Sequence, residues 1–140
     1  MQDRSAVRAP ASIQLRWTRA EIALFVGIGV VSLSIVVLSG RISGAGVEEW
    51  DTPFFFRIQL PFAAIAAVFG GFMFPGHAWR WGLAPWWMQH VYMVWQHGLG
   101  NIWPIALVFW VVVLLPFVGL AALGGGMSSH IKRKASGRKG

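Results

Sequence analysis

Long apolar runs alternate along the chain with short polar or glycine-rich breaks, and three of the runs, Ile22 to Leu38, Ile58 to Phe74 and Ile102 to Leu123, hold no formal charge. Each approaches the roughly 20 residues that a helix needs to cross about 30 Å of hydrocarbon. The pattern therefore predicts an all-α integral membrane protein. The first run has a start signal at Thr18-Arg19-Ala20-Glu21, where the threonine hydroxyl can accept the Glu21 amide and the Glu21 carboxylate can accept the Thr18 amide. The second span, 54–74, carries Arg57 near one end, within reach of headgroups, and Pro61, whose missing donor costs least there. The last, 102–123, is expected to bend or break at Pro116 and to stop at Gly124-Gly125-Gly126.

Residues 82–98 are harder to place, because a tryptophan-rich stretch is interrupted by Pro85, Gln89, His90, Gln96 and His97. At about 100° per residue the two glutamines and two histidines fall on one arc with Trp86 and Met93, and Trp87, Val91, Val94 and Trp95 fall opposite. Such a helix either lies in the membrane interface or crosses with its polar stripe turned to other helices.

Charge separates these alternatives, since Lys and Arg favour the cytoplasmic side. With four crossings, ten of the 12 basic residues lie inside: Arg4, Arg8, Arg16, Arg19, Arg80, Lys132, Arg133, Lys134, Arg138 and Lys139. Only Arg41 and Arg57 remain outside, together with the acidic loop that carries Glu48, Glu49 and Asp51. Three crossings would export the whole C-terminal basic cluster. The expected organisation is a basic cytoplasmic segment 1–21, a transmembrane domain 22–124 with spans at 22–38, 54–74, 82–98 and 102–123, and a basic cytoplasmic tail 125–140. Three spans plus one interfacial amphipathic helix is the alternative. Arg4 to Arg19 before an apolar stretch also resembles a secretory leader, but the run exceeds a usual signal core, so a retained span is expected. The setting this implies is a bacterial cytoplasmic membrane, with both termini cytoplasmic.

Ala63, Ala67 and Gly71, spaced by four, and Ala66 with Gly70 give the second helix a smooth face for close packing of another helix. Arg80, Lys132, Arg133 and Lys134 are candidates for contact with anionic lipid headgroups. The net charge of +7 gathers in the tails, where it orients the chain in a membrane rather than marking a nucleic-acid partner.

Candidate chemistry is sparse. Gln89-His90 recurs as Gln96-His97, which stacks the pairs about 10.5 Å apart on one helix face. His90 or His97 could ligate haem or a chlorophyll-type pigment, each through its own centre. The preferred reading of the stripe is hydrogen bonding across helices or contact with another subunit, with a path for a small solute as a further alternative. With no cysteine, thiolate chemistry and disulfides are excluded. No Asp or Glu lies within a span for proton coupling, and the glycine triplet lacks the Lys and Ser or Thr of a phosphate-binding loop. The residues point away from an enzyme and towards an accessory or structural subunit that contacts lipids and other membrane subunits or further copies of itself.

Overall fold

A computed structural model describes residues 17–43, 52–98 and 103–137, and among these every regular element is helical. The basic residues up to Arg16, the acidic loop with Glu48, Glu49 and Asp51, the connection around Asn101, and Arg138 and Lys139 lie outside the described residues.

Helix α1, Arg19–Ser43, begins at the anticipated capping box: Thr18 N–H donates to Glu21 Oε2 at 2.7 Å and Glu21 N–H to Thr18 Oγ1 at 3.2 Å. It is longer than its uncharged run, since Arg41 belongs to its last turn.

Thr52 Oγ1 accepts the Phe55 N–H at 3.2 Å and starts the next helix. Its first turn is a π-turn, Phe55–Gln59, which leads into α2, Leu60–Met73. Pro61 explains the widening. Its ring would strike the carbonyl of Arg57 in a regular helix and it has no N–H to bond there, whereas the wider turn, closed by Leu60 N–H to Phe55 O, relieves the clash.

The expected continuous helix over 82–98 is instead two pieces: α3, Trp79–Leu83, and α4, Trp87–His97. Pro85 lies in the turn between them, where its missing donor and fixed φ are accommodated. Gly98, at φ 65°, ends α4 and returns its N–H to Val94 O. With 11 residues α4 is about 16 Å long, too short to cross alone. Three helical segments are long and apolar enough to do so: Arg19–Ser43, Phe55–Met73 and Trp110–Gly137.

Helix α5, Trp103–Gly137, contradicts the expected stop at the glycine triplet, because it runs on past it, and of the bend or break expected at Pro116 it shows no break. Close packing overrides the poor helix propensity of glycine here. A Cβ on Gly124 would strike the Val68 carbonyl, one on Gly71 the Ala121 carbonyl, and one on Gly82 would lie 2.6 Å from Val118 Cα. Small residues thus let α2 and α3 approach the backbone of α5, a common way for helices to associate in lipid. Ala63, Ala66, Ala67, Gly70 and Gly71 are all buried.

Contacts advance together along α1 and the 79–97 segment: Trp17 with Arg80, Phe25 with Trp81 and Trp87, Gly29 with Trp87, Ser32 with Gln89. Along α5 they run backwards: Gly125 faces Ala78, Val118 faces Gly82, Phe117 meets Trp86 and Trp110 meets His90. The exterior is apolar. Val30, Ile65, Val91, Val108 and Leu115 are exposed, and Ser32, Gln59, Arg80 and Gln89 are buried. Such a surface suits lipid rather than water.

Candidate functional site: a buried polar node

Three segments each send one polar side chain into the bundle. Ser32 comes from the middle of α1, Gln59 from the last position of the π-turn, and Gln89 from the first turn of α4. All three are at most 1 % exposed. Gln59 Nε2 donates to Ser32 Oγ at 2.5 Å and Gln89 Nε2 donates to the same oxygen at 2.7 Å. Gln89 Nε2 also donates to Pro85 O at 3.1 Å, which ties the node to the turn that breaks the third segment. Both proline-induced irregularities therefore aim a glutamine at one serine.

The two carboxamide oxygens, Gln59 Oε1 and Gln89 Oε1, are buried without a hydrogen-bond partner, as are the indole nitrogens of Trp86, Trp87 and Trp110. Donors and acceptors thus stand unmatched in an otherwise apolar interior, where leaving them so is costly. Chemically the node can lock helices together and can take up water or another small hydrogen-bonding guest. It holds no nucleophile paired with a base. Among the described residues no group of three His, Asp or Glu side chains could hold a metal.

The polar stripe of α4 divides. Gln89 enters the node, while Gln96 is exposed and donates to the Tyr92 hydroxyl at 3.0 Å within its own helix. His90 is half buried, its ring centroid 3.5 Å from that of Trp110, and its Nδ1 has no partner. An imidazole that ligates a metal usually donates its other N–H to an acceptor that fixes the ring. His90 has no such acceptor at Nδ1. His97 closes α4, and its side chain lies outside the described residues. His77 sits half buried in a short 3-10 turn, Pro75–His77, and His130 is exposed on α5.

Of the four candidate headgroup contacts, Lys132, Arg133 and Lys134 are exposed on the last turns of α5, whereas Arg80 is buried. Sequence reasoning passed over Gln59 altogether. The available signal was an amide two residues before a proline in an uncharged run, since a polar side chain in a membrane helix normally faces the bundle interior. Compared with known protein families, curated proteins and solved structures, the chain matches none of them.

Proposed function

We propose that this protein is a four-crossing component of a bacterial cytoplasmic membrane that serves as an accessory or structural subunit, not as an enzyme. The third crossing is the broken segment 79–97, whose two pieces give about 24 Å of helix if they stack end to end, with the turn at Pro85 between them. Its direction supports this: it runs with α1 and against α5, so the start of α1 and the basic end of α5 share one end of the bundle. Lys and Arg at that end favour a cytoplasmic position for it. The node then closes the bundle near its middle, which is why Gln89 needs no ligand or solute to justify its place on α4.

The subunit reading is carried by the outward face of α5. Gly119, Ala122 and Gly126 lie there exposed, in a groove edged by Leu123, Met127 and His130, and a Cβ on either glycine would meet nothing within 4 Å. Small residues facing outward allow the backbone of a further transmembrane helix to approach, a contact that lipid chains do not require. The occupant proposed is a helix of another membrane protein. Purification from native membranes in mild detergent tests it: a protein should co-purify in fixed ratio and be lost in the pair Gly119→Leu and Gly126→Leu. A lone monomer from the unmodified chain refutes the subunit reading.

A further inference from the structure

Arg80, in the first turn of α3, is 3 % exposed, yet neither of its terminal nitrogens has a hydrogen-bond partner. Its guanidinium carbon lies 4.5 Å from the ring centroid of Trp17 and 5.8 Å from that of Trp79. Indole faces attract a cation but give its N–H groups no lone pair in the plane of the fork. A guanidinium does not shed its charge when buried, so its donors call for an acceptor. Glu21, also buried, is occupied by the Thr18 amide within its own helix cap.

The position is that of a membrane surface. Trp17 stands two residues before the start of α1, and both Trp17 and Trp79 are exposed, as indoles at headgroup depth are. Two oxygens of a phosphate match the planar donors of an arginine, and among the described residues no acceptor is bonded to either terminal nitrogen of Arg80. We propose that Arg80 anchors a phosphate-oxyanion site, filled by the phosphodiester of an anionic lipid headgroup or by free phosphate, with Trp17 as its movable cover. Trp17 is held by its ring contacts with Arg80 and by an edge contact with Phe25 at 5.1 Å, so it can swing aside without unwinding α1. This rests on the reading of the chain as a membrane protein with that end at the bilayer surface.

The test uses the full chain, stripped of lipid in dodecyl maltoside, titrated with dihexanoyl phosphatidylglycerol and separately with inorganic phosphate, and read by native mass spectrometry. One phosphatidylglycerol should bind saturably, about ten- to hundredfold more weakly in Arg80→Gln. Arg80→Lys, which keeps the charge but loses the fork, should fall between. Trp17→Ala should bind severalfold more tightly, because the cover no longer competes. Saturable lipid binding that survives millimolar phosphate assigns the headgroup; phosphate binding without lipid binding assigns the free anion. The proposal is overturned if neither ligand binds, if Arg80→Gln binds as the unmodified chain does, or if Trp17→Ala leaves affinity unchanged. Should Arg80→Gln misfold, the Arg80→Lys and Trp17→Ala pair still decides. Crossing number does not enter this titration, so its failure and a failure of the four-crossing reading are told apart by labelling the termini in membranes.

Discussion

Replacing Ser32 by alanine removes the one oxygen that Gln59 and Gln89 share. Interhelical hydrogen bonds in membrane proteins average about 0.6 kcal/mol and reach about 1.7, so two of them give about 1–2 kcal/mol. The two partners are not affected alike. Gln89 keeps Pro85 O, whereas Gln59 loses its sole acceptor and stays buried, which moves the expected cost to the upper part of that range, about 2 kcal/mol. Reversible unfolding in mixed dodecyl maltoside and dodecyl sulfate micelles, followed by circular dichroism, measures it. A double-mutant cycle adds the decisive comparison. Ser32→Ala with Gln59→Leu should couple by about 1 kcal/mol, and Ser32→Ala with Gln89→Leu by less, because Gln89 has its second acceptor. A Ser32→Ala protein within about 0.3 kcal/mol of the unmodified chain, or equal coupling for both glutamines, would refute the node as the bundle's lock.

Two further predictions use the same chain. Gly71→Ala should destabilise by about 1–3 kcal/mol, since its methyl strikes the Ala121 carbonyl, while Gly119→Ala, with open space around it, should be neutral or stabilise by up to about 1 kcal/mol; unfolding changes of the same sign would contradict the described packing. Because the chain has no cysteine, single substitutions report sidedness directly: Gln96→Cys should react with an impermeant maleimide in intact spheroplasts and Ser136→Cys only after permeabilisation, and reaction of both in intact cells would exclude the four-crossing topology.

How much of this was legible in the sequence depended on the range of the interaction. The Thr18 and Glu21 cap was readable because both partners lie within one turn, and its bonds are present. The all-helical architecture and its apolar segments were readable because a membrane demands length and hydrophobicity that a local window can see. The glycine triplet misled because propensity is a local preference, and at Gly124 a neighbour more than fifty residues away outweighs it. Gln59 escaped notice for the complementary reason: its partner Ser32 is 27 residues distant, and no local pattern marks the pairing. The stripe on α4 was visible as a stripe, but only the turn at Pro85 decides that Gln89 faces inward while Gln96 stays on the surface.

These failures share a physical origin that also explains the fold. In water, burying apolar surface would choose which faces meet; in lipid that force is nearly absent, so specificity passes to close approach and to polar groups with nowhere else to go. The bundle uses a different emphasis on each side. Helix α5 is held to α2 and α3 by missing side chains, at Gly71, Gly82 and Gly124, whereas α1 meets the π-turn and α4 through one shared hydroxyl beside the packing of Phe25 and Gly29 on Trp87. The first seam tolerates no added methyl, and the second tolerates no lost oxygen. Both prolines that interrupt helices, Pro61 and Pro85, lie beside the polar seam, where the irregular backbone they impose delivers the glutamines. An apolar exterior would be satisfied by many sequences; the arrangement of Ser32, Gln59 and Gln89 is satisfied by one relative placement of α1, α2 and α4, and it is this constraint that selects the packing.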